Sequence, residues 1–250
     1  APMLAMYSVC AVAVTFWLTI MWGGWPFTSI SKNPLVGGLT VLIAAYAITL
    51  GLFKIFFNYE FMQGAPVYVA SLDPHGMFNG WSAMVFFVTF LVGLFGLLHF
   101  DLWPLTSSPS IMKQPTLGIV WTLLALAVAA ILFGIGVNGM GMDPAIFMVK
   151  VPVPFIFGTI VTLNMLQGSL FAKLKQPVKG LASVVAAVII GEGLAAMYGA
   201  LAPVVSGDVK SGPPAYDFEI WLASALLAVT FPFLIFYADY FKMWPLKKDE

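Results

Sequence analysis

The chain has no arginine, one cysteine and two histidines, and only 9% of its 250 residues are charged. Each scarcity closes off a class of function. Without arginine the Asp-Arg-Tyr type motif of G-protein-coupled receptors is missing. A single cysteine, Cys10, cannot form an internal disulfide, and inside an apolar run it reads as a small buried residue. With so few cations there is no basic patch on which nucleic-acid binding could rest. A bis-histidine haem site needs two facing histidines, and His75 and His99 are expected at opposite sides of the membrane. No His/Cys/carboxylate cluster of zinc or di-iron type is present, no phosphate-cradling glycine loop, and no nucleophile in a credible context. No catalytic residue is assigned, so an enzyme is the weakest reading.

What the chain has instead is apolar length. Hydrophobic residues make up 61% and mean hydropathy is +0.97, whereas a soluble domain carries about 25% charged residues. The apolar residues fall in seven blocks, at roughly 4–25, 36–57, 79–103, 116–137, 147–171, 178–202 and 218–241, each near the ~20 residues that cross a bilayer as a helix. The expected fold is an all-α integral membrane protein of seven transmembrane helices, one domain over 1–250. A retinal protein is excluded, because block seven has no Schiff-base lysine before Lys242.

Lysine placement orients the chain. Lys32, Lys113, Lys173, Lys175, Lys179, Lys242, Lys247 and Lys248 follow blocks one, three, five and seven, which makes those turns and the C-terminus cytoplasmic. The opposite loops carry Glu60, Asp73, Asp143, Asp208, Asp217 and Glu219, and the N-terminus is expected outside. The lipid bilayer is then the chain's solvent, in a plasma or bacterial inner membrane.

A motif recurs at these turns: Lys32-Asn33-Pro34-Leu35-Val36-Gly37, Lys113-Gln114-Pro115-Thr116-Leu117-Gly118 and Lys175-Gln176-Pro177-Val178-Lys179-Gly180. Two copies follow Trp25-Pro26 and Trp103-Pro104, and the pair returns at Trp244-Pro245. An amide beside proline suits a helix start whose first N–H groups lack partners, with lysine at anionic headgroups and tryptophan at the interface. Asp73-Pro74, Asp143-Pro144 and Asp217 form a weaker outer series suited to capping. The expected architecture is three parallel helical-hairpin repeats, at about 4–57, 79–137 and 147–202, plus a final helix at 218–241. The motif reads first as topological punctuation and second as a cytoplasmic docking surface.

Polar groups inside the spans are the functional pointers, since each costs ~2.5–3.5 kcal/mol at a helix centre. Fifteen residues past each repeated proline stand Thr49, Ala130 and Glu192, so only the third copy carries a carboxylate. Counted from Val178, Glu192 is expected about two-thirds of the way to the outer face, where Lys54 could pair with it. Asn164 and Gln167 share one helix face near Thr159 and Thr162, and Pro152, Pro154 and Pro232 free backbone carbonyls. His99 is a candidate pigment or haem ligand, or else a side chain bonded to a neighbour such as Asp101. The cofactor is otherwise unknown. Met62, His75, Met77, Met140, Met142 and Met148 gather soft ligands in the outer loops, a set that would suit Cu(I).

Two functions remain. One is a small permease or channel whose polar path involves Lys54, Asn164, Gln167 and Glu192. The other is a non-catalytic membrane subunit that anchors partner proteins, quinone or pigment in a larger complex, or a homo-oligomer.

Overall fold

The computed structural model describes residues 2–31, 33–166 and 169–242. Lys32, Gln167, Trp244, Pro245, Lys247 and Lys248 lie outside the described residues. Among the described residues the structure is mainly helical with almost no strand, and seven helices are long and apolar enough to cross a membrane: span 1 (Met3–Met21), span 2 (Pro34–Phe56), span 3 (Gly80–His99), span 4 (Thr116–Gly139), span 5 (Pro144–Met165), span 6 (Val178–Ser206) and span 7 (Asp217–Leu234). Span 6 is the longest at 29 residues and runs past the end expected from hydropathy. It stops at Gly207, whose φ of 76° is open to glycine.

Contacts group the chain into two compact units, residues 1–94 with 105–135, and residues 95–104 with 136–250. In the first unit spans 1 and 2 pack around Leu18, Ala44 and Ala45, with Trp17, Trp22, Phe27, Val41 and Ile48 against them. Where span 1 ends, the indoles of Trp17 and Trp22 both donate to Thr122 Oγ1 of span 4, at 2.8 and 3.3 Å.

The loop after span 2 is organised by Asp73. Its carboxylate accepts from the backbone N–H of Tyr59 (3.2 Å) and His75 (2.9 Å) and from the Tyr68 hydroxyl (3.0 Å). These bonds hold a two-residue parallel strand pair, β1 (Phe57–Asn58) on β2 (Phe78–Asn79), with Phe57 opposite Phe78. Asp73 is therefore a loop clasp rather than the cap of span 3. Asp143 does cap: its Oδ1 accepts from the N–H of Ala145 and Ile146 at 2.8 and 3.3 Å.

In the second unit span 5 is built in pieces. Residues Pro144–Lys150 and Pro152–Thr159 are α-helical, and Ile160–Met165 widens to a π-helix. Prolines 152 and 154 withhold the N–H that would bond the preceding turn, which is why the helix breaks at Val151. Span 6 crosses here at backbone contact. A Cβ on Gly158 would lie 1.8 Å from the Ala187 carbonyl oxygen, and one on Gly191 would lie 2.0 Å from that of Pro154. Above the crossing, Val149, Phe157, Tyr198, Leu222, Ala225 and Leu226 form the apolar core with span 7. The Tyr198 hydroxyl pairs with that of Thr230 at 2.7 Å.

The crossing yields a test. Gly158→Ala and Gly191→Ala should each cost ~1–3 kcal/mol through overpacking, read as a lowered Tm of the purified protein in detergent. Gly193→Ala, two residues along the same helix but with no atom within 4 Å of its would-be Cβ, should leave Tm unchanged or slightly raised.

Candidate functional site

Three buried polar side chains of the second unit meet at one end of spans 3, 5 and 6. His99, the last residue of span 3, is 1% exposed. Its Nδ1 lies 2.6 Å from Ser183 Oγ of span 6, and its Nε2 lies 2.9 Å from Thr159 Oγ1 of span 5. Thr159 and Ser183 are buried as well, and the Phe155 ring lies 5.8 Å from the imidazole. Thr159 stands where span 5 passes from α to π geometry. Thr162, one turn on, is buried and donates to the Gly158 carbonyl at 2.8 Å.

The chemistry of this triad is permissive. A neutral imidazole offers one donor and one acceptor, and a hydroxyl can answer either. An imidazolium offers two donors, and both hydroxyls can accept. The hydrogen bonds of either protonation state fit the same heavy-atom arrangement, while the charge of an imidazolium would meet only neutral hydroxyls. Both ring nitrogens are engaged, so the lone pair that a haem or pigment metal would take is already used.

Just outside the triad, residues 101 and 102 turn left-handed with φ of 50° and 60°. This turn places Asp101 not against His99, as expected, but against span 6. Asp101 Oδ2 accepts from Lys179 Nζ at 2.7 Å and from Gln176 Nε2 at 2.9 Å. Partial burial pushes the Asp101 carboxyl up, but the hydrogen bonds from Lys179 and Gln176, with the lysine charge, more than reverse this. Its net pKa is below the ordinary carboxylate value.

Gln176 also explains the repeated motif. Its Oε1 accepts from Gly180 N–H at 3.0 Å, while its Nε2 reaches back to the His99 carbonyl at 3.4 Å. In the first unit Gln114 makes the same two bonds, to Gly118 N–H at 3.1 Å and to the Met21 carbonyl at 2.8 Å. Each glutamine ties the start of one helix to the end of another. A Cβ on Gly118 would meet the Trp22 ring at 2.5 Å, and one on Gly180 the Phe100 ring at 2.2 Å. In copy one the shorter Asn33 caps locally instead, accepting from Leu35 N–H at 2.9 Å.

The two clamps share a register: Met21 to His99 spans 78 residues (99 − 21), as does Trp25 to Trp103 (103 − 25), and Gln114 to Gln176 spans 62 (176 − 114). At the same offset Ser183 answers to Trp121 (183 − 62), whose indole N–H is buried without a hydrogen-bond partner among the described residues. At these offsets His99 and Ser183 stand where the other clamp has methionine and tryptophan. Sequence reading picked out His99 but missed Ser183, and it grouped Thr159 with Asn164. The signal was available in the departure of both positions from the other copy.

The remaining candidates lie elsewhere. Lys54 (first unit), Asn164 and Glu192 (second unit) are all exposed; Gln167 falls outside the described residues. Met62, His75 and Met77 belong to the first unit, and Met140, Met142 and Met148 to the second. His75 and Met77 are exposed, and His75 Nδ1 lies 3.5 Å from Glu60. Among the described residues no three His, Cys, Asp or Glu side chains cluster as metal ligands. In the first unit an open groove of about 420 Å³ runs along spans 1 and 2, beside Thr15, Thr19, Gly38, Val41 and Leu42. Thr15 and Thr19 turn their hydroxyls onto the carbonyls of Ala11 and Thr15, so the groove offers almost nothing polar.

Two predictions follow from these geometries. Thr159→Val or Ser183→Ala alone should cost ~1 kcal/mol, and His99→Leu ~1–3 kcal/mol through two stranded hydroxyls. The triple variant should cost less than their sum, measured as Tm in detergent. For Asp101, a depressed acid stabilises the fold above the ordinary carboxylate pKa of about 3.9 and loses that contribution as pH falls through its folded value. Lys179→Met should move acid destabilisation to higher pH; at pH 7 it should cost only ~0.5 kcal/mol, because the Asp101 side chain is 59% exposed. Thermal melts from pH 2 to 7 check both. No family model, curated protein or solved structure matches this chain.

Proposed function

We propose that this polytopic membrane protein is a non-catalytic subunit that holds a partner within the bilayer. The observation that carries this reading is where unsatisfied polarity sits. His99, Thr159, Thr162, Ser183 and Thr230 in the second unit are buried and hydrogen-bonded inside it. By contrast, Lys54, Asn164 and Glu192, the groups first assigned to a polar path, are exposed. A permease needs polar groups free to meet solute along a route, whereas a subunit needs them on the surface it presents. In this reading the motif turns are cytoplasmic, the chain is three like hairpins plus a final helix, and the membrane is a plasma or bacterial inner membrane.

A small-solute or proton permease is the second reading, and one observation favours it. The hydroxyls of the His99 triad can hydrogen-bond the imidazole in either protonation state, and the triad adjoins the π-helical turn Ile160–Met165, a feature frequent at functional sites.

Purification from native membranes in mild detergent separates the two. The subunit reading expects a stoichiometric partner protein and no solute-dependent flux from the isolated chain in vesicles. A chain that purifies folded and alone, and whose proton or solute flux is lost in His99→Leu, supports the permease.

A further inference from the structure

Glu192 is the middle residue of span 6, fourteen from Val178 (192 − 178) and fourteen from Ser206 (206 − 192). At 1.5 Å per residue it stands ~21 Å from either end, so with the helix centred on a ~30 Å hydrocarbon layer it lies near mid-plane whichever way the chain is inserted. It is exposed, and among the described residues of its own unit none bonds to it or pairs with it. Carboxylates at such depth are rare and are normally met by a protein group or by water.

The helix around it divides cleanly. Gly180, Ser183, Ala187, Gly191, Tyr198 and Ala202 face inward. Glu192 and Ala196, one turn apart, are exposed, and Gly193 has open space where a Cβ would be. Small residues beside the carboxylate let another helix backbone come close, so that a side chain from that helix can reach it. A cation is the partner whose charge offsets a carboxylate removed from water.

We propose that the Glu192 face of span 6 receives a membrane-spanning helix of a partner protein that carries a lysine, arginine or histidine near mid-bilayer. This rests on the subunit reading and names the face and the chemistry through which it acts.

The full chain, with p-benzoylphenylalanine in place of Ala196, is irradiated in its native membrane and the cross-linked peptide is sequenced. The same probe at Val229, an exposed position on span 7, is the control. The expected product joins Ala196 to an apolar helix with a basic residue. Its yield should fall roughly tenfold, the change for ~1.4 kcal/mol, in Glu192→Leu, and less in Glu192→Gln, which keeps a hydrogen-bonding side chain. Unchanged Tm in both variants shows that the loss is one of contact. Adducts with lipid alone, with a second copy of this chain, or with a helix lacking a basic residue overturn the proposal, as does a yield indifferent to Glu192. If a partner co-purifies while Ala196 yields only lipid adducts, the face is wrong and the subunit reading stands. If no partner co-purifies either, both fail.

Discussion

At Gly158 and Gly191 two helices of the second unit touch backbone to backbone, and the polar chemistry of that unit depends on the contact. Neither glycine could carry a Cβ without entering a carbonyl of the opposing helix. Van der Waals packing is the main force between helices in lipid, because apolar tails compete on equal terms with apolar side chains. Close approach therefore decides which residues can meet. With spans 5 and 6 drawn together, Thr159 and Ser183 come within reach of the two nitrogens of one imidazole, and a histidine can be buried at 1% exposure without a stranded donor or acceptor. The prolines that break span 5 serve the same end, since the carbonyl of Pro154 is the one that Gly191 passes.

A second constraint acts at the helix ends. The first N–H groups of a helix and the last carbonyls have no partners within it, and near the membrane they cannot rely on water. Gln114 and Gln176 answer both needs with one side chain, accepting from an N–H four residues on and donating to the final carbonyl of another helix. Asparagine is one methylene shorter, and Asn33 closes only on its own turn. The repeated motif thus has two grades: a local cap in copy one and a helix-to-helix clamp in copies two and three.

The spans were legible in the sequence because hydropathy over ~20 residues is a direct reading of bilayer thickness. The amide before each proline was legible as a device for unpaired N–H groups. Its long-range half was not, because the carbonyl it reaches lies 77 residues away for Gln176 and 93 for Gln114. Asp73 misled for a related reason: Asp-Pro reads the same in front of a helix or in a loop, and only the fold of residues 57–79 brings Tyr59, Tyr68 and His75 to one carboxylate. Asp101 was the nearest carboxylate to His99 in sequence, yet two left-handed residues turn it toward Lys179. The end of span 6 was misplaced by the apolar block, since Pro203 does not end the helix, which continues to Ser206.

The clamp register, read together with the triad, locates where the second unit departs from the first. Helix ends that are tied alike carry Met21 and Trp121 in one unit, and His99 and Ser183 in the other. In the first the Trp121 indole N–H is buried without a hydrogen-bond partner among the described residues; in the second His99 is hydrogen-bonded to both Ser183 and Thr159. The same unit also holds the carboxylate that the other copies lack fifteen residues past the motif proline. The second unit thus carries polar groups in two places with opposite outcomes. Around His99 it is neutralised by neighbours on spans 5 and 6. At Glu192 it is turned outward from the face that packs on span 5, where neither spans 5 and 6 nor span 7 covers it.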